Sequence, residues 1–218
     1  MDWKEKIFKR KIRCGGNLTW GSHEFSLLGI NFHVDLSKMP DLNLSTAITK
    51  IVELLVPWKK RALSPLGKVT VIKTFVLSKL NHLLMTLPSL SNKFIRDVNN
   101  ILFNFLWDGK PDKIKRSQIY QPYVNGGIKM VNFECFVKSM KLTWIRRLIK
   151  GNSCQWLTLF EVSHCPVTRL ADFGPYWGHL LAFKTNNTFW KEFFYVWKSF
   201  SGFINLKNNT SILSSPLW

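Results

Sequence analysis

The chain is poor in acid: across 218 residues, 13 Asp and Glu stand against 31 Lys and Arg. No two carboxylate residues are adjacent, and Asp2, Asp35, Asp41, Asp97, Asp108, Asp112 and Asp172 lie scattered, mostly beside Lys, Pro or turn formers. Two-metal phosphoryl chemistry needs carboxylates a few ångström apart, and no paired-acid motif for it is written here. Cysteine is also scarce. Cys14, Cys135, Cys154 and Cys165 form no CxxC pair and follow no secretory leader, which excludes a disulfide scaffold and implies reduced, intracellular thiols. Cys154, His164, Cys165 and His179 match no regular zinc spacing, so no metal and no other cofactor is expected in this chain. No apolar run approaches the roughly 18 residues of a membrane helix. A P-loop, a G-x-S-x-G elbow and an H-E-x-x-H helix are all missing. Gly126-Gly127 reads as a turn, and His82 beside Asn81 as a packing or polar-contact histidine.

Positive charge and aromatic rings are plentiful. The formal charge is +18, with ten Trp and seventeen Phe. Up to Lys150 there are 26 basic and 10 acidic residues, a net +16; beyond it, 5 against 3 leave +2. A folded surface so positive attracts phosphate backbones, with an anionic membrane or a merely solvated face as the alternatives. The basic run 3–13, WKEKIFKRKIR, has no apolar core and is no signal peptide. It reads as a solvated charged face, with a nuclear-localisation patch as the alternative. A place in the nucleus or cytoplasm, without secretion, follows.

The pattern is mainly α. Phe25 to Phe32 is short, apolar and aromatic, and reads as a strand, alone or as half of a hairpin; Asp35 to Asn43, with Pro40, reads as a connection. From Leu44 the period is helical, with Ile48, Ile51, Val52, Leu55 and Trp58 on one face and an end or bend at Pro57. A second helix has Ser64 as cap, Pro65 in the first position, and Val69, Ile72, Val76, Leu80 and Leu83 inward, closed by Pro88. A third is capped by Ser89 or Ser91, buries Phe94, Val98, Ile101, Leu102 and Phe105, and stops near Trp107-Asp108-Gly109. Three such helices with short loops form a bundle. After a loop-rich stretch, residues 132–150 return to helix with Phe133, Phe136, Val137, Met140, Trp144 and Leu148 inward, and Gly151-Asn152-Ser153 marks a boundary. Trp156 to Val162 and Thr188 to Phe200 read as two further short helices. Trp58, Trp107, Trp144 and the aromatic cluster at 189–200 are assigned to core packing. The expected division is 1–41 with a β element, 42–107 as the three-helix bundle, 108–151 as loop plus helix, and 152–218 as an aromatic-rich helical segment.

Seven short motifs recur in order: Leu28-Gly29-Ile30, Trp58-Lys59-Lys60-Arg61, the run Leu63 to Lys73, Ser78-Lys79-Leu80-Asn81-His82, Phe105-Leu106-Trp107, Gly126-Gly127-Ile128-Lys129-Met130, and Trp144-Ile145-Arg146-Arg147-Leu148. Together they resemble the region that follows the catalytic palm in LINE-type (non-LTR) retrotransposon reverse transcriptases, over about residues 20–150 and more loosely beyond. The resemblance implies an end-of-palm remnant, then a helical thumb at about 42–107 that grips primer-template duplex, then a connector. It also implies that the palm and fingers, with their aromatic-x-Asp-Asp box and magnesium, would lie before Met1. Ser215-Pro216-Leu217-Trp218 is similar to the middle of a family motif, so the chain is expected to be cut at both ends. Magnesium is expected only with that missing palm, which would also be a partner, and no polymerase activity is expected of the chain alone.

Lys59, Lys60 and Arg61 at a helix end, Lys68 and Lys79 on the next helix, and Lys113, Lys115 and Arg116 in a loop are the candidate nucleic-acid contacts. Lys68 and Lys79 are eleven residues apart, close to three turns of 3.6, and so should share a face. All would touch backbone phosphate rather than read bases. The main expectation is a truncated, non-catalytic retroelement product that binds RNA/DNA primer-template. The alternatives are a co-opted protein-interaction module or a functionless relic.

Overall fold

The computed structural model describes residues 24–35, 38–87, 90–149, 155–164 and 177–200. The readings placed on residues 3–13, Cys14, Pro88, Ser89, Gly151-Asn152-Ser153, Cys154, Cys165 and the last four residues lie outside these. Among the described residues the protein is mainly α, with one small antiparallel sheet.

The apolar stretch at 25–32 is two strands rather than one: β1 (Glu24–Leu27) and β2 (Ile30–His33), paired Phe25 to Phe32 and Leu27 to Ile30. The two-residue turn puts Leu28 at φ 52° and Gly29 at φ 78°. Two successive positive φ values are what a tight hairpin turn requires. Glycine adopts this conformation freely, whereas a leucine there is rare.

Helix α1 (Met39–Lys59) begins earlier than its apolar period suggests. Pro40 lies in its first turn, where a missing N–H costs nothing, so the expected connection at 35–43 is largely helix. Pro57 lies within the last turn and does not end the helix before Lys59. Ile51 and Leu55 are buried, Ile48 and Trp58 half-buried, and Val52 is exposed instead of inward. Asn43 fastens the hairpin to this helix. Its amide nitrogen donates to the Asn31 and Met39 carbonyls and its oxygen accepts from Asn31 N–H, each at 2.8 Å.

The Ser64 hydroxyl accepts from Gly67 N–H at 3.2 Å and starts α2 (Pro65–Val71). The axis continues through a π turn, Ile72–Val76, where Leu77 N–H reaches back five residues to the Ile72 carbonyl, and then α3 (Leu77–Thr86). Val69, Ile72, Val76 and Leu80 are buried as expected; Leu83 is half-buried, and Leu84 takes its place inside. Ser91 caps α4 (Asn92–Leu106), accepting from Phe94 N–H at 3.1 Å. Its inner face is Phe94, Val98, Leu102 and Phe105, with Ile101 half-buried.

The bundle core is wider than 42–107. It takes in Ile30 from β2, Ile119 from the single turn α5 (Arg116–Ile119), Met130, and Phe133 and Val137 from α6 (Phe133–Ile149). Further along α6 the inward side chains change. Leu142, Ile145 and Leu148 belong to a second core with Phe160 of α7 (Gln155–Ser163), Leu181 and Ala182 of α8 (Trp177–Lys184), and Phe193, Phe194 and Trp197 of α9 (Thr188–Ser199). Phe136, Met140 and Trp144, expected inward, are half-buried. Helix α8 was not anticipated: its eight residues, WGHLLAFK, are short and show no amphipathic period.

Candidate nucleic-acid interface

The corner between α1 and α2 is built from short-range bonds. Arg61 N–H donates to the Trp58 carbonyl at 3.2 Å and Leu63 N–H to the Arg61 carbonyl at 2.8 Å. Lys59, Lys60 and Arg61 are all exposed on it. The Arg61 guanidinium lies over the Trp58 ring at 4.5 Å, and that ring packs on Phe75 of the π turn at 5.2 Å. Lys79 is exposed four residues beyond Phe75. The structure therefore gathers Arg61, Trp58 and Phe75 at one side of the bundle, with Lys79 exposed further along α3.

Lys68 does not belong with them. The residue is 4% exposed, and its ammonium bonds Asp108 Oδ1 at 2.5 Å and the Leu106 carbonyl at 3.4 Å. The expected common face with Lys79 does not hold: Lys68 is drawn inward by the Asp108 carboxylate and the Leu106 carbonyl, whereas Lys79 is exposed. Lys68 is a strut: a cation at the C-terminal carbonyls of α4 is favourably placed against that helix's dipole, and it holds the loop where Asp108 and Gly109 both take positive φ, 54° and 76°. Asp108→Asn keeps the volume and suits a left-handed conformation, but leaves the buried ammonium without its carboxylate. With Asp108 61% exposed and partly screened, the expected loss is about 1–2 kcal/mol in urea denaturation. An unchanged midpoint would deny the strut.

That loop carries the second group. Lys113 and Lys115 are exposed. Arg116 is engaged at home: its Nε donates to Asp112 Oδ2 at 2.7 Å and its guanidinium covers the Phe103 ring at 4.1 Å. It clamps the loop to α4 with its charge already paired.

Two cations escaped the sequence reading although both lie within the quoted motifs. Lys73, half-buried in the π turn, has its pKa lowered first by burial and then by the positive charge of Lys129. Lys129, at φ 52°, places its ammonium 4.8 Å over the exposed Tyr123 ring. The helical axis and the 126–130 segment thus bring two like charges into each other's field, an arrangement an anion would relieve. Nothing in local sequence signals it, because the partners are 56 residues apart.

Among the described residues no three His, Cys, Asp or Glu side chains gather as a metal site, and no helix is long and apolar enough to cross a membrane. Cys135 is a free, exposed thiol. No protein-family model matches the chain.

Proposed function

We propose that this chain is the thumb and connector of a non-LTR retrotransposon reverse transcriptase, which holds primer-template duplex by its backbone and does not polymerise by itself. The carrying observation is the exposed corner Lys59-Lys60-Arg61, whose guanidinium is set against Trp58, with Lys79 exposed on α3. Cations held at a helix end and along one face are suited to positioning on phosphates without reading sequence. The net +16 of the first 150 residues supplies the wider field. The outward side of the hairpin, with Phe25, Leu27 and Leu28 exposed, suits burial against the palm and fingers of the parent enzyme.

Fluorescence anisotropy with a blunt RNA/DNA hybrid tests the reading. Binding should weaken steeply with salt, and Lys59/Lys60/Arg61→Ala should reduce affinity about ten- to a hundredfold while the salt slope falls by about two to three. Binding indifferent both to salt and to the triple substitution would sink the proposal and leave a protein-docking module as the better account.

A further inference from the structure

The elements of the second core carry far less of the positive charge than the first 150 residues, yet a wide cleft opens among them. An opening of about 790 Å³ lies between the second half of α6, α7 and the α8–α9 connection. That volume is in the range of single-ligand sites. Its wall is aromatic: Trp144 meets Trp156 edge-on at 6.0 Å and Trp190 at 6.3 Å. Trp144 is fixed from behind, since its indole N–H donates to the Met85 carbonyl at 2.9 Å. Trp156 stays 37% exposed at the mouth. The charged residues lining the opening are Arg147 and Lys184, and its described lining includes no Asp or Glu. Arg147 is held 4.9 Å over the Trp144 ring. Asn186 stands exposed at the rim beside Asn187, which spends its side-chain oxygen capping α9 through Phe189 N–H and Trp190 N–H.

We infer that this cleft binds unpaired nucleotides, a base stacking on Trp156 within the indole wall and the adjoining phosphates meeting Arg147 and Lys184. The ligand the wall selects is flat, aromatic and anionic: rings supply a sequence-tolerant stacking surface, the two cations complement phosphate, and the rim amide can meet a base edge. Arg147 and Lys184 both stand exposed at the mouth, with no Asp or Glu among its described lining residues. The inference rests on the duplex-holding reading in that the strand would be one leaving the duplex, but it concerns a different surface, powered by stacking rather than by net charge.

The test uses the full chain, a blunt RNA/DNA hybrid, the same hybrid with an unpaired oligothymidine tail of about ten nucleotides, and that tail alone. The tail should tighten binding about tenfold. Trp156→Ala and Arg147→Gln, each at an exposed position, should abolish that gain singly and leave blunt-duplex affinity unchanged; Trp156→Phe should restore most of it. With about two phosphate contacts the gain should fall with salt at a log–log slope of only roughly −1.4, much shallower than the duplex term. Equal binding of tailed and blunt hybrids, or variants that lose neither or both, would overturn the inference. Displacement of the tail by an acidic, aromatic peptide at lower concentration than free oligothymidine would overturn it in favour of a peptide site. Retained binding of the free tail with no binding of blunt hybrid would uphold this inference and reject the duplex reading.

Discussion

Gly127→Ala should destabilise the protein by at least about 3 kcal/mol, or prevent folding outright, whereas Gly126→Ala should cost only about 1–2 kcal/mol. The two neighbours fail for different reasons. Gly126 has φ 73°, which an alanine adopts at a strain cost, but its added Cβ would meet only the end of the Gln118 side chain at 3.4 Å. Gly127 needs no unusual φ. A Cβ there would sit 2.0 Å from the Gln121 carbonyl oxygen and 2.7 Å from that of Gln118, and backbone atoms cannot swing aside as a side-chain end can.

Relief would require the 127–130 segment to lift off. That segment is stitched down by Gly127 N–H to the Pro122 carbonyl at 3.1 Å, by Ile128 and Met130 N–H to the Ile119 carbonyl at 3.2 and 3.0 Å, and by Lys129 N–H to the Gln121 carbonyl at 3.0 Å. Each bond contributes about 1 kcal/mol net, and lifting would also draw buried Ile119 and Met130 out of the bundle core. The overlap and the anchoring therefore cannot both be satisfied. Urea denaturation of the two variants checks the ranking: Gly127→Ala with a midpoint at or above that of Gly126→Ala would mean that the close approach is absent.

The same pair shows how far the sequence alone reaches. Gly126-Gly127 is legible as a turn because glycine is the residue of positive φ. Which glycine answers to backbone conformation and which to a neighbour's backbone depends on how 127–130 returns across 118–123. Helix positions were legible where a local signal sets them: Ser64 and Ser91 cap as their side chains predict, and the stripe Val69, Ile72, Val76, Leu80 is buried. Helical spacing could not show that Lys68 is drawn inward while Lys79 stays exposed, so the face assigned to Lys68 was wrong. Its partner Asp108, 40 residues away, could not be read from spacing. Likewise the Leu28-Gly29 turn carries no Asn-Gly or Asp-Gly signal, so two strands read as one. Helix α6 was assigned a single inner face because a period describes one partner, while it serves two cores in succession and buries Lys141, Leu142 and Ile145 where polar or outward positions were expected.

Lys141→Ala should cost about 3 kcal/mol, while Lys141→Met should stay within about 1 kcal/mol of the natural chain. The side chain is 0% exposed and its ammonium donates to the Leu87 carbonyl beyond the end of α3. It also lies 3.5 Å from Glu192 Oε2 and 5.2 Å over the Phe189 ring, both on α9. One residue thus ties the bundle to the second core. Burial holds its pKa below the usual 10.5, with Glu192 opposing that shift, so desolvation outweighs the attraction and the buried charge is a net cost to folding. The contribution that matters is then the stem. Alanine removes three methylenes, about 0.8 kcal/mol each, and leaves a cavity; methionine refills it and loses chiefly the bond to Leu87. The sign of the pH effect follows. Between the lowered folded pKa and 10.5 the unfolded chain binds the proton that the folded chain has released, so stability rises with pH across that window and levels off above it. The rise should appear as a gain of the natural chain relative to Lys141→Met, which has no proton to lose there, in urea midpoints taken from neutral pH towards 10.5. A natural chain that instead loses stability relative to Lys141→Met over this range would mean that the Glu192 attraction outweighs burial, and Lys141→Met should then prove as costly as Lys141→Ala.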